Sequence, residues 1–417
     1  MKLIKPFRGL RPARELAAKV ASHPYDVLSR EEAFVIAKDN PLSFLHINKP
    51  EVDVGIDIDV HDQLVYETGR KNLQRFIAAG TLNQDSTEKL YVYKQIMGAH
   101  EQVGLVAVAP VDAYENDLIK KHEYTRPEKE DDRVCHMDAL GAQVGPVFLT
   151  YKSQSEIDEL IDKVVATSPE YDFVADDGTQ HVFWVIEDAS VAESIELAFD
   201  NVDCLYVADG HHRSAAALRI KHLHQKRNKR HTGDEPYNNF LVVVFPHDQM
   251  QILDYNRVVK DLNGFNAAEF IEKLSADFIV RKVSLDNAKP KKAQEFGVYV
   301  KDQWYKASVS EQLLGNIDID DPVQSLDVSI MQNAILTPLL GIKDQRTDAR
   351  VDFIGGIRGL SELEKRVDSG KWDAAIALYA TSVESLMAIA DINEVMPPKS
   401  TWFEPKLKSG LVVHLLN

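Results

Sequence analysis

Apolar residues recur along this chain at two periods. Short apolar runs and two-residue alternation predict strands over 90–97, 101–110, 146–151, 171–175, 181–186, 205–208, 240–245 and 251–255. Gly98, between the first two, predicts a hairpin. One-face spacing predicts helices over 14–21, 30–38, 62–79, 114–121, 134–144, 155–167, 191–199 and 214–226. Ser29 with Glu32 fits a capping box for the second of these. Val52, Val54, Ile56, Ile58 and Val60 alternate with Asp or Gly, which predicts a half-buried strand over 51–60. Its Asp53, Asp57 and Asp59 then read as a solvated face rather than a metal site.

Beyond 263 the same patterns predict strands over 278–283, 295–300, 304–309, 374–379 and 411–416, and helices over 328–335, 361–369 and 383–389. Gly355-Gly356-Ile357-Arg358-Gly359 precedes one of these helices. It is a weak phosphate-loop signal, because it lacks the full spacing of either nucleotide fingerprint. The run from Met396 to Lys406 is rigid, basic and aromatic. Alternation of strands and helices predicts an α/β (α+β mixed) fold, with helices packed on a mixed sheet. At 417 residues the chain exceeds one ordinary core. The pattern divides into an N-terminal α/β region over 1–152, a compact core over 153–262 and a C-terminal α/β region over 263–417.

Charge narrows the partners. Lys and Arg number 48 against 65 Asp and Glu, a net −17. So acidic a surface repels nucleic acid and anionic membranes. No stretch approaches the ~20 apolar residues of a membrane span, and the first residues lack the apolar core of a signal peptide. Cys135 and Cys204 are the only cysteines and form no Cys-x-x-Cys pair, which argues against a disulfide framework or a cysteine zinc site. The expectation is a soluble cytoplasmic protein with small-molecule partners, homo-oligomerisation being left open.

The richest chemistry lies at 205–220. An apolar strand breaks at Asp209-Gly210, and His211-His212-Arg213 stand at or just before a helix. Free N–H groups and the positive helix end make such a turn an anion site. Gly210 lets a backbone approach a ligand, Arg213 can fork onto phosphate oxygens, and Asp209 can help hold a metal. His211 and His212 are adjacent, so they point to different sides. The dense polar run over 122–133 starts with the pair His122-Glu123 and carries Lys129, Asp132 and Arg133. It reads either as a solvated loop or as an active-site loop.

Four blocks, His23-Pro24-Tyr25-Asp26-Val27, Gly145-Pro146-Val147-Phe148-Leu149, Ala208-Asp209-Gly210-His211-His212-Arg213 and Met396-Pro397-Pro398-Lys399-Ser400-Thr401, occur in one order. Together they resemble the hallmark blocks of domain-of-unknown-function family 1015. That family is placed with the ParB/sulfiredoxin-like superfamily, whose ParB-like free serine kinases use ADP or ATP with Mg²⁺ to make O-phosphoserine. The resemblance implies a ParB-like nucleotide-binding core. It further implies that Gly210, His211, His212 and Arg213 hold phosphate, and that Asp209 acts on metal or substrate. In those kinases a His-Glu pair supplies the base; the pair here is His122-Glu123, although its distance from Asp209 along the chain departs from theirs.

Phosphoryl transfer needs neutralised charge and an oriented nucleophile. Arg213, the helix start, Lys129 and Arg133 are candidates to stabilise the phosphoryl oxygens. Asp209 is the candidate ligand for Mg²⁺, Glu123 the candidate base, and His122 and His211 its companions. The lead expectation is a nucleotide-dependent kinase of free L-serine, or the same site run as a phosphoserine phosphatase. The alternative is a ParB-like nucleotide- or nucleic-acid-binding module without catalysis.

Overall fold

A computed structural model describes residues 1–417. The chain folds as two compact units, Met1–Met250 with Pro405–Asn417, and Gln251–Glu404. Both are mixed α/β, as the patterning predicts.

The first unit is built on an eight-stranded sheet. Its strands are Tyr91–Met97 (β1), His100–Pro110 (β2), Ile119–Lys120 (β3), Val147–Tyr151 (β4), Tyr171–Val174 (β5), Gln180–Val185 (β6), Leu205–Asp209 (β7) and Asn239–Pro246 (β8). They lie in the order β3-β7-β4-β8-β2-β1-β6-β5. Only β3 with β7 and β4 with β8 run parallel. The expected division near 152 does not coincide with the units, because this sheet takes strands from both sides of it.

Alternation along the strands sorts the two faces. Val92, Leu105, Ala107, Leu149, Trp184, Val207 and Val242 point to one side. There they pack with Ile157, Ile161, Ile195 and Phe199 of the helices Ser155–Val165 and Ala189–Phe199. The alternate positions include Tyr93, Gln95, Gln102, Thr150 and His181, all buried. This second face therefore encloses polar groups among apolar ones such as Phe148, Phe183 and Phe245, and the polar groups are bonded within the unit. Gln95 donates from Nε2 to the Lys406 carbonyl, and Thr150 to the Phe245 carbonyl.

Several local expectations change. The helix Arg30–Ala37 (α1) carries the Ser29–Glu32 capping box as expected. Residues 51–60 form no strand; Pro50–Asp53 is a 3-10 turn followed by bends. The reason is Arg30, whose guanidinium gathers the carbonyls of Glu51, Val54, Gly55, Ile56 and Ile58, so the segment wraps around a cation instead of pairing with a strand. The helix expected over 114–121 is Val111–Glu115, and the strand β3 follows it. The polar run is not one loop: the helix Pro127–Leu140 (α2) begins inside it, with proline in the first turn, where its missing N–H costs nothing.

The second unit holds a six-stranded antiparallel sheet. Its strands are Tyr255–Val259 (β9), Phe278–Val283 (β10), Glu295–Val300 (β11), Gln303–Val309 (β12), Val351–Gly355 (β13) and Ala374–Ala377 (β14), in the order β10-β12-β11-β14-β9-β13. The glycine run at 355–359 serves packing here. A Cβ on Gly355 would meet the Trp402 ring at 2.8 Å, and one on Gly356 would meet the Asp254 carboxyl at 2.6 Å. Pro398 and Lys399, from the last sequence block, turn their carbonyls to the buried guanidinium of Arg257. That block belongs to this unit, whereas the other three lie in the first.

Candidate active site

The site begins where β7 ends. Its register against β4 shifts between Val207 and Asp209. Such an irregularity re-aims the side chain that follows it. Gly210 then takes φ +103, a left-handed conformation that favours glycine. A Cβ there would stand 3.0 Å from Arg213 Nε, so the same residue must also be small. The helix His211–Arg227 (α3) starts at once, three residues before the expected Ser214. No side chain caps it. Its first N–H groups lack intrahelical acceptors, and the positive end of its dipole lies at this turn.

Parallel pairing brings in the second half. Ile119 and Lys120 of β3 are in register with Leu205 and Tyr206 of β7. Continuing both strands sets His122 and Glu123 beside the turn. The rings of His122 and His211 meet edge to face, 4.4 Å between centroids. Both are enclosed, at 2% and 4% exposure. Neither nitrogen of His122 makes a hydrogen bond of ordinary geometry, nor does Nε2 of His211. Burial, reinforced by His211, lowers His122 to about 3. Burial likewise lowers His211 to about 3, against the pull of Asp209. Both rings are therefore neutral at physiological pH. The Glu123 side chain, 33% exposed, holds Oε2 4.0 Å from His211 Nδ1. It is the part of the group that solvent and a substrate reach.

Asp209 carries the charge of the turn. Lys406 Nζ lies 3.4 Å and an Arg213 terminal nitrogen 3.7 Å from its Oδ2. Burial raises the Asp209 carboxyl, but Lys406, then Arg213, outweigh it and hold the group below the usual carboxylate range.

The other expected site residues are placed as follows. Arg213 is buried and turned inward, donating to the Pro146 carbonyl beside Gly145; two of the sequence blocks meet at this contact. His212 points the other way and accepts the Arg126 N–H at 3.0 Å, which ties down the loop after Glu123. Lys129 and Arg133 sit on α2 and line a neighbouring cavity of about 360 Å³ with Tyr25, Lys49, Glu51 and Asp132. Arg133 stacks 3.8 Å from the Tyr25 ring centre and pairs with Asp132. None of His122, Glu123, Asp209 or His211 lines that cavity.

Sequence reasoning missed Lys406 and Lys408. Lys408 is itself buried, and each lysine meets a carboxylate: Lys406 that of Asp209, Lys408 that of Asp177 at 2.8 Å. Lys406 closes the run read only as rigid, basic and aromatic, and Lys408 lies just beyond it, so no local signal singled out either lysine.

The donor set decides what the site can hold. Magnesium favours an all-oxygen shell. His122, Glu123 and His211 offer two imidazoles to one carboxylate, and Asp209 is engaged by two cations. A magnesium ion held by these side chains does not fit. The uncapped helix start with Lys406 suits an anion, and Glu123 suits proton transfer.

No curated protein matches the chain. Among solved structures, a conserved hypothetical protein from Pyrococcus furiosus is 14% identical at a TM-score of 0.33, over 73% of this chain and 95% of that one. A free serine kinase in complex with AMP is 13% identical at 0.34, over 73% and 92%. SbnI from Staphylococcus aureus is 12% identical at 0.36, over 72% and 84%. Superpositions this loose do not transfer residue roles. No helix is long and apolar enough to cross a membrane. The family model described as a protein of unknown function (DUF1015) matches residues 4–329, most of the chain, and the protein belongs to that family.

Proposed function

We propose that this protein is a small-molecule phosphotransferase acting on a hydroxyl acceptor. Free L-serine, with ATP or ADP as donor, is the specific reaction that the motif resemblance implies. One observation carries the reading: an uncapped helix start, beside a lysine-paired aspartate, meets the reachable carboxylate of Glu123. The N–H groups of the first turn of α3 and the Lys406 ammonium receive the negative oxygens of the transferring group. Glu123 takes the hydroxyl proton as the acceptor oxygen bonds to phosphorus and the donor's bridging oxygen departs. Inward-turned Arg213 holds the loop rather than the phosphate. Hydrolysis of phosphoserine would use the same groups, with water as the acceptor.

The rival reading as a nucleic-acid-binding module gains nothing from this geometry. After α3 the chain returns to the sheet as β8, where a helix-turn-helix reader would place further helices, and the net charge is −17.

The test is mass spectrometry of a free amino-acid mixture incubated with the full chain and ATP, ADP or pyrophosphate, each with magnesium. A phosphorylated amino acid formed in proportion to enzyme supports the reading. No product with any donor, beside a gel shift of random DNA at low salt, would overturn it.

A further inference from the structure

His122, Glu123 and His211 share a property that anion binding and proton transfer leave unused. One donor atom from each lies within 4.8 Å of the others. Two of the three residues are enclosed imidazoles, and three of their four nitrogens, both of His122 and Nε2 of His211, make no hydrogen bond of ordinary geometry. Buried polar groups in folded proteins are nearly always satisfied, by protein, water or an ion. An orphaned pair of imidazoles, perpendicular and 4.4 Å apart with a carboxylate at their rim, has the composition of a metal shell.

We propose that His122, Glu123 and His211 bind one divalent transition-metal ion, for which zinc is the representative probe. Ligands about 2.0–2.1 Å from a tetrahedral ion sit roughly 3.4 Å apart. The donor atoms, now within 4.8 Å of one another, have to draw in by up to about 1.4 Å to reach that value. Two nitrogens and one oxygen select zinc, iron or cobalt over magnesium or calcium, which favour oxygen alone. Asp209 stays outside the shell, because Lys406 and Arg213 occupy its approach. Three protein ligands leave at least one coordination position open on the exposed side of Glu123. That position takes water or an oxygen of the substrate. A carboxylate bound through one oxygen keeps the other for a hydrogen bond, so metal binding and the hydroxyl chemistry proposed above are compatible, and neither requires the other.

The experiment uses the full chain, stripped with a chelator and reloaded with Zn²⁺ alone. Bound metal is counted by elemental mass spectrometry, and affinity is read by competition with a chromophoric chelator. Cobalt substitution adds a visible spectrum that reports coordination by nitrogen and oxygen. The expected result is one zinc per chain, lost in His122→Ala and His211→Ala. Affinity should fall about a hundredfold or more in Glu123→Ala, since outer-shell partners alone are worth roughly ten- to a hundredfold. His222→Ala, a surface histidine, should bind as wild type. If the buried substitutions unfold the chain, Glu123→Ala, at a half-exposed position, still decides the matter. Wild-type protein that takes up no zinc, or folded Glu123→Ala with unchanged affinity, overturns the site. Zinc binding without phosphoryl transfer would refute only the reading of function. Transfer without zinc binding would refute only the metal site.

Discussion

Lys406 Nζ stands 3.4 Å from Asp209 Oδ2, joining residues 197 positions apart in the chain. The contact ties the C-terminal segment to the turn that starts α3. Because the folded Asp209 carboxyl is held below its ordinary range, the contribution of the pair is complete above the unfolded Asp pKa and is lost as pH falls through the folded value. A double-mutant cycle with Lys406→Met and Asp209→Asn should give a coupling of about 1 kcal/mol in denaturant unfolding. Additivity to within ~0.3 kcal/mol would show that the two residues act independently.

Glu123 is the one carboxylate at the turn without a cation in contact, and it is reachable from solvent. Glu123→Gln keeps the shape and removes the base. Turnover should fall roughly 10²–10⁴-fold while nucleotide affinity by calorimetry stays at the wild-type value. Unchanged turnover would move the base elsewhere.

Gly210 and Gly98 both adopt positive φ, at 103° and 62°. A Cβ on Gly98 meets nothing within 4 Å, whereas on Gly210 it meets the Arg213 guanidinium. Gly98→Ala should therefore cost only the left-handed penalty, about 1 kcal/mol. Gly210→Ala should cost that plus the displacement of Arg213 from Pro146, about 2–3 kcal/mol in all. Equal losses in equilibrium unfolding would mean that Arg213 moves aside freely.

Much of this site could be read from the chain, for reasons particular residues make plain. A strand, a glycine and a helix in succession need only local signals, and Leu205–Asp209, Gly210 and His211–Arg227 supplied them. The meeting of His122-Glu123 with His211 depends on the parallel pairing of β3, two residues long and too short to leave a period. Lys406 depends on a contact between opposite ends of the unit. The strand expected over 51–60 failed because one distant guanidinium, Arg30, outbid the ladder for its carbonyls. Arg213 carries the residue type of a phosphate ligand, and its burial with a bond to the Pro146 carbonyl depends on a contact that no local pattern announces.

Acid should weaken the protein steeply. Burial lowers His181 to about 3, with Lys408 adding to it, and lowers His136 and His414 to about 4. Each is neutral when folded and has an ordinary value near 6.5 when unfolded. Below that value the unfolded chain binds more protons, so stability falls as pH drops from about 6.5 towards about 4. Each such histidine contributes a slope of about 1.4 kcal/mol per pH unit. Denaturant midpoints between pH 7.5 and 4.5 measure it. His181→Gln, which keeps a partner for the Tyr93 hydroxyl, should flatten the slope by about one such contribution; an unaltered slope would rule His181 out as a source.

In the second unit Arg257 is fully enclosed with no carboxylate beside it. Its charge is met by dipoles and rings instead. Nε donates to Gln345 Oε1 at 2.7 Å, one terminal nitrogen to the Tyr255 carbonyl, the other to the carbonyls of Pro398 and Lys399 at 3.2 and 3.1 Å, and the Phe353 ring lies 4.7 Å away. The planar fork serves three directions at once, which a lysine ammonium on a single stem does not. Arg257→Met strands these acceptors and should cost about 2–4 kcal/mol; Arg257→Lys should recover little of it. Trp304, Trp372 and Trp402 lie in this unit and only Trp184 in the other. Tryptophan fluorescence should therefore report an unfolding transition moved to lower denaturant in both variants, ahead of the far-ultraviolet signal shared by the two units. If Arg257→Lys unfolds with the wild-type protein, position 257 requires a positive charge and nothing of the fork.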